Sequence, residues 1–259
     1  MSEKPNVSSS VEDRVVIVTG AGSGIGRAYA KHFAAHGAIP VIAEINGQNG
    51  TKVAGEITAE GGKALAVQTD VSDEESVAET VARAMEEFGR IDVLINNAAI
   101  FSTISRSPFE EISREDWTRV LDVNVIGSWI CAKLVTKHME AGGYGRIINI
   151  SSSTVPVGLP LLMHYVTSKA AVVGMTRCMA SELGERGITC NAILPGMTDS
   201  EVEYVGRTDA SISAVLGMQK LKRIEEASDL VGTALFLASP ASGFMTGQSL
   251  LVDGGMAYI

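Results

Sequence analysis

The sequence predicts an α/β protein: a single doubly wound domain built on a seven-stranded parallel sheet with helices on both faces. Three observations predict it. Short apolar runs of strand length alternate with longer amphipathic stretches, the order a parallel sheet with crossover helices produces. Hydrophobic residues make up 46% of the 259-residue chain, enough to cover both faces of a large sheet, and no linker, repeat or low-complexity segment divides it. Glycine occurs 27 times, as suits a fold with many tight strand-to-helix turns, while aromatics are only 5%, so the core must rest on Ala, Val, Ile and Leu.

The elements follow in order. "RVVIVTG" is the first strand, and the helix "GIGRAYAKHFAAHG" after it stops on Gly37. "AIPVIAE" is the second strand, closing on Glu44, and "KALAVQTD" is the third. "SDEESVAETVARAMEEFG" is a helix with Ser72 as candidate N-cap, acids in its first turn and Gly89 at its end. "IDVLINNA" is the fourth strand, and "SREDWTRVLDVNVIGSWICAKLVTKHMEAGG" reads as one long helix. "GRIINISS" is the fifth strand, "HYVTSKAAVVGMTRCMASELGERG" a second long helix, and "ITCNAILPG" and "SLLVDGG" the last two strands. The strand runs are apolar almost throughout, as when both faces are covered. About six helices fill the gaps. Residues 1–12 read as a flexible polar tail and 13–259 as the single domain. Residues 197–220 show no clear periodicity and read as a substrate lid.

Charge and composition exclude several function classes. The formal charge is -9, so phosphate backbones and anionic lipid repel the chain, and neither nucleic acid nor a membrane surface is expected as partner. The opening "MSEKPNVSSSVED" has no apolar run and is no signal peptide, and no stretch of about 20 apolar residues is long enough to span a bilayer. A cytoplasmic protein is expected. Cys131, Cys178 and Cys190 form no paired motif and read as small buried apolar residues. His32 and His36 lie four apart without a third ligand, so no metal site is expected.

The stretch "VIVTGAGSGIGRA" carries the first chemical signal. It joins a strand to a helix through Thr19, Gly20, Gly24 and Gly26. The missing side chains admit a pyrophosphate close to the backbone, and the helix N-terminus offers N–H groups and a positive dipole end. This is a dinucleotide-binding, Rossmann-type arrangement. Glu44 closes the second strand, where an adenosine ribose lies. Its carboxylate accepts both ribose hydroxyls and repels a 2′-phosphate. No Lys or Arg occupies the turn from Gly20 to Gly26, so NAD is expected rather than NADP.

These residues resemble the short-chain dehydrogenase/reductase family over about residues 14–255. The family's TGxxxGxG motif falls on Thr19, Gly20, Gly24 and Gly26, which also places Ser23 and Ile25 at the cofactor. The resemblance implies further cofactor contacts at Asp70 and Val71 after the third strand. It implies others at Asn97, Ala98 and Ala99, from the family's NNAG motif, and at Pro195 and Gly196 after the sixth strand. Ala99 stands where the family usually has Gly. A Thr usual near the nicotinamide carboxamide is matched by Ser200, with Thr198 as second candidate. The catalytic set implied is Asn124, Ser152, Tyr165 and Lys169.

Tyr165 and Lys169 lie four apart, on one helix face. Removing an alcohol proton at neutral pH asks the phenol to fall about 3 units from its usual value near 10, or about 4 kcal/mol. Lys169 and the oxidised nicotinamide are the two cations expected to lower it. Tyr165 is then general base in oxidation and general acid in reduction, with Ser152 holding the substrate oxygen. Lys169 also binds ribose hydroxyls, and by resemblance Asn124 holds a water linking Lys169 to solvent.

The expected activity is hydride transfer between NAD and an apolar alcohol or ketone of aryl, alicyclic or medium-chain type. Val155, Val157, Leu159, Leu161, Leu162 and Met163 are candidate wall residues, as are Val202, Tyr204, Val205, Ile212, Val215, Leu216 and Met218 in the lid. Arg207 reads as a solvated surface residue, with contact to an anionic substrate group as the alternative. Two rivals share the motifs: a 3-oxoacyl-thioester (acyl-carrier-protein) reductase using NADPH, and a catalytically silent NAD-binding regulator. The family also implies a homotetramer, through "ICAKLV" and "GMTRCMA".

Overall fold

The computed structural model describes residues 8–202, 204 and 207–259. Successive side chains of a strand face opposite sides of a sheet, and the first strand, β1 (Val15–Thr19), shows the consequence. Val16 and Val18 join one buried apolar cluster, while Val15 and Ile17 join another on the opposite face. Six further parallel strands repeat this: β2 (Ile39–Glu44), β3 (Leu65–Gln68), β4 (Val93–Asn96), β5 (Gly145–Ile150), β6 (Ile188–Pro195) and β9 (Ser249–Val252).

Their spatial order is β3-β2-β1-β4-β5-β6-β9, and all are parallel, which is the seven-stranded parallel sheet the sequence predicts. One face is covered by α1 (Gly24–Ala35), α2 (Gly47–Ala59) and α9 (Ala227–Ala238), whose Phe33, Ile57 and Leu230 are buried. The other is covered by α3 (Glu74–Phe88), α5 (Ser128–Gly142) and α7 (Met163–Leu183), through Val81, Val135 and Leu183. The chain reverses direction across the sheet between β1 and β4. A crevice opens there beyond the strands' carboxyl ends, the usual binding place in such sheets.

Several expectations change in detail. The single helix expected over 113–143 is three segments: α4 (Arg114–Leu121), a wider π-helical turn (Asp122–Gly127) and α5. The wide turn carries the buried Asn124, and its carbonyl accepts a bond from the Ser128 hydroxyl. Such π turns insert one residue into a helix and re-aim its side chains. The N-cap of α3 is Asp73, which accepts the Glu75 N–H, while Ser72 donates its hydroxyl to Asp70. Residues 1–7 of the expected tail lie outside the described residues. Of its remainder, Val11 is buried in the core and the Ser8 carbonyl accepts the Ala241 N–H. Cys131 and Cys190 are buried, but Cys178 is exposed on α7, contrary to the sequence reading.

The aperiodic 197–220 stretch contains a short strand, β7 (Thr198–Asp199), and a helix, α8 (Asp209–Met218). β7 pairs with β8 (Glu225–Glu226) in a separate two-stranded sheet. Thr208 and Ser211 cap α8 reciprocally. Its residues "DASISAVLGM" are apolar almost all round, so no face stands out in the sequence. A four-residue helix, α6 (Thr154–Val157), completes the set.

Candidate active site

The carboxyl ends of β1 to β6 build the crevice. Beyond β1, the Thr19 hydroxyl accepts the backbone N–H groups of Asn97 and Ala98 from the end of β4. The Asn97 amide in turn donates to the Thr19 and Gly20 carbonyls. These bonds fix two neighbouring loops against each other. Gly20 and Gly24 sit at positive φ, where a side chain is strained. A Cβ on Gly26 would meet the Gly20 carbonyl oxygen at 2.2 Å and the Asn97 amide nitrogen at 2.6 Å. We therefore expect Gly26→Ala to weaken dinucleotide binding at least about tenfold and to lower stability by about 1–3 kcal/mol. Fluorescence titration and thermal denaturation measure both.

Glu44 is buried at the end of β2. Its carboxylate accepts the Gly22 N–H at 2.9 Å and the Asn46 N–H at 3.1 Å. Asp70 and Val71 follow β3 and line the same crevice. Ala99 does not adopt positive φ, so its methyl is accommodated without strain where Gly is usual.

At the other end stand Ser152, Tyr165 and Lys169. Tyr165 and Lys169 lie on α7, nearly fully buried, with the Lys169 nitrogen 5.8 Å from the centre of the Tyr165 ring. That nitrogen donates to the Ile150 carbonyl at 2.8 Å, at the end of β5. The Ser152 oxygen accepts from both the Thr154 N–H and the Thr154 hydroxyl, so its own proton is directed elsewhere. Burial pushes the Tyr165 phenol up to about 12, although a bond from Ser152 opposes it. Burial pushes Lys169 down to about 8. The sequence reading has the lysine lowering the tyrosine; in the chain alone, desolvation outweighs that attraction.

Asn124 lies behind this group rather than on the crevice surface. Its side-chain oxygen accepts the Ile100 N–H at 2.8 Å, and its amide donates to Ser168 at 3.0 Å. Ser168 donates to the Tyr165 carbonyl, which ties the π-helical turn to α7.

One cavity of about 670 Å³ joins the two ends. Gly20, Ser23, Gly24, Ile25, Glu44, Asp70, Val71, Asn97, Ala98 and Ala99 line it, together with Ser152, Tyr165, Lys169, Pro195, Gly196, Thr198 and Ser200. Of the expected site residues only Gly26 and Asn124 are set back from its surface. The groups fit a dinucleotide. The glycine turn leaves room that any Cβ would fill, and an acid faces the crevice where a ribose would sit.

Among the expected wall residues, Val157, Leu159, Val202, Tyr204, Val215 and Met218 line the cavity, whereas Val155, Ile212 and Leu216 do not. Val205 lies outside the described residues. Leu161 and Met163 face solvent, and Leu162 packs beneath Tyr165 with Ile104 and Val120. His164 is buried, with Trp117 alongside. Arg207 lines the cavity rather than open solvent and pairs with Asp199 at 2.7 Å.

Three features escape sequence reasoning. Phe101 lies between Tyr165 and Tyr204, with ring centres 4.7 and 4.4 Å away, and so extends the wall from the buried phenol to the lid. Glu201 in the lid reaches the Gly24 N–H at 3.2 Å and Arg27 at 3.4 Å. Glu225 bonds the wall from behind. Nothing in the charged run "KRIEEASD" sets Glu225 apart from its exposed neighbour Glu226.

Comparison with known proteins gives a consistent result. The family model described as enoyl-(acyl carrier protein) reductase matches residues 20–257. The chain is 36% identical over 257 residues to the short chain dehydrogenase/reductase astE of Aspergillus oryzae, covering 96% of this chain and 97% of the relative. It superposes on a 7α-hydroxysteroid dehydrogenase complexed with NADH and 7-oxo glycochenodeoxycholic acid with a TM-score of 0.90, at 32% identity and 95% of each chain. It also superposes on a candidate NAD(P)-dependent gluconate 5-dehydrogenase from Beutenbergia cavernae with NADP bound at low occupancy. There the TM-score is 0.89 at 38% identity, over 98% of this chain and 99% of the other.

Proposed function

The chain belongs to the short-chain dehydrogenase/reductase family of nicotinamide-dependent oxidoreductases, and from that premise we propose that it transfers a hydride between NAD and an apolar alcohol or ketone. The observation that carries the proposal is the shared cavity: Ser152, Tyr165 and Lys169 line the same space as the glycine turn and Glu44. NAD, when bound, supplies the hydride acceptor for oxidation and, in reduced form, the donor for reduction.

The chain's own residues handle the proton and the oxygen. Tyr165 takes the hydroxyl proton in oxidation and returns it in reduction. Ser152, its oxygen already saturated by Thr154, directs its proton at the substrate oxygen and the phenol. Lys169 spends one donor on Ile150 and keeps two for the cavity, where its charge favours the phenolate. Asn124 fixes the bend that carries it against α7, in the role of positioning the lysine's path to solvent.

Cofactor choice follows from Glu44. Its buried carboxylate, held by two backbone N–H groups at the end of β2, repels a 2′-phosphate, which supports NAD. We expect Glu44→Gln to raise kcat/KM with NADPH at least about tenfold, or about 1.4 kcal/mol, while lowering it with NADH. Steady-state rates with both cofactors measure this.

Ile100, Phe101, Val157, Leu159, Val215 and Met218 give the wall an apolar surface and support an aryl, alicyclic or medium-chain substrate. The matched family description favours one second reading, an acyl-carrier-protein reductase, which Glu44 opposes through its preference against NADPH. No described helix is long and apolar enough to cross a membrane. A cytoplasmic homotetramer completes the proposal, supported by the exposed Ile126 and Trp129 beside α5.

A further inference from the structure

Glu225 is a buried acid that the chemistry above does not use. It is 4% exposed. One carboxylate oxygen accepts the Gly196 N–H at 3.0 Å, a donor shared with the Val252 carbonyl at 2.9 Å, and the other accepts the Thr198 hydroxyl at 2.9 Å. The pairing of β7 with β8 sets Thr198 opposite Glu225. Gly196 admits no side chain there, since a Cβ would lie 2.9 Å from the carboxylate and 3.0 Å from the Asp253 backbone.

Gly196 and Thr198 line the cavity, and the Pro195 carbonyl before them accepts the Ser153 N–H. Ser153 follows Ser152, so this stretch of wall stands at the reacting end of the cavity. The glycine turn and Glu44 stand at the other. We propose that Glu225 is a positioning residue for the nicotinamide end of the cofactor, holding residues 196–198 in the shape that receives it. This rests on the proposed use of NAD.

The surroundings make that hold sensitive to protonation. Among the described residues no cation lies within ion-pair distance of Glu225; Arg223, just before β8, is committed to Asp229 through two bonds. The charged groups packed around it are Asp229 on α9 and Asp253 after β9, both acidic, with the buried hydroxyl of Tyr29 on α1. Burial foremost, and the charges of Asp229 and Asp253 next, push the Glu225 carboxyl up to about 7, against the bonds from Thr198 and Gly196. A carboxylate accepts both bonds. Once protonated, the carboxyl loses its charge and one of its oxygens becomes an O–H donor, so the two bonds it accepts are weakened. The wall is therefore held in the charged form and loosened as pH falls through the ionisation.

The test compares NADH with ADP-ribose, which keeps the adenosine and pyrophosphate but lacks nicotinamide. Calorimetric titration of wild type, Glu225→Ala and Glu225→Gln should show Glu225→Ala weakening NADH about tenfold and leaving ADP-ribose within about twofold. Glu225→Gln, whose amide oxygen still accepts from Gly196 but whose nitrogen cannot accept from Thr198, should bind NADH between wild type and Glu225→Ala and match wild type at low pH. Wild-type NADH affinity should fall between about pH 8 and 6 relative to that of Glu225→Gln. Equal losses for both nucleotides in Glu225→Ala would mark a general structural role and overturn the proposal. So would identical pH profiles for wild type and Glu225→Gln. If wild type binds neither nucleotide, the use of NAD itself fails, a result separate from either.

Discussion

Tyr165→Phe should lower kcat at least about 10³-fold, or about 4 kcal/mol, while NADH binds with a Kd within about twofold of wild type. Only the phenolic oxygen is removed. The ring keeps its packing against Phe101 and Leu162, so the fold and the cavity walls persist. The loss should fall on oxidation and reduction alike, since the same oxygen receives and returns the proton. In wild type the two directions should respond to pH with opposite sign. Oxidation needs the phenolate and should speed up as pH rises; reduction needs the phenol and should slow. Burial holds the phenol near 12 in the chain alone, so activity near neutral pH requires the lowering effect of the bound, positively charged cofactor and of Lys169. Stopped-flow rates in both directions and NADH fluorescence titration read these outcomes separately.

Lys169→Met should cost about 10²- to 10³-fold in kcat and weaken NADH about tenfold, unlike Tyr165→Phe, which affects turnover alone. Methionine nearly fills the lysine's space, so the cavity is kept while the cation and its donors are lost. The phenol then loses the cation that lies 5.8 Å from its ring centre. Oxidation should consequently require a higher pH in the variant than in wild type. Burial brings Lys169 down to about 8, so its charge in the cofactor-free chain fades as pH rises through that value. The variant's NADH affinity should therefore lack a loss that wild type shows above about pH 8.

Much of this site is legible in the sequence because it sits at strand ends. The apolar runs that mark β1, β2, β4, β5 and β6 also mark where Gly20, Glu44, Asn97, Ser152 and Pro195 must meet, since a parallel sheet gathers its carboxyl ends on one edge. The i, i+4 pair on α7 is legible from helix geometry alone. What stays hidden depends on side chains far apart in sequence. The stack of Phe101 between Tyr165 and Tyr204 joins three segments that no periodicity relates. The outward turn of Leu161 follows from its positive φ, which an apolar run before a helix does not announce. The π-helical turn at Asn124 replaces a continuous helix because its bonds to Ile100 and Ser168 lie off the helix. Desolvation of the Tyr165 phenol is not legible from the i, i+4 spacing, because a pair spacing reports attraction but not burial.

The proposed reaction is hydride transfer between NAD and an apolar carbinol carbon. The most direct measurement is initial-rate appearance of reduced cofactor with a panel of aryl, alicyclic and medium-chain secondary alcohols, run with NAD and with NADP. The expected result is turnover of at least one such alcohol, faster with NAD than with NADP. Tight NADH binding with no turnover of any alcohol or ketone, or turnover confined to a 3-oxoacyl thioester with NADPH, would contradict it.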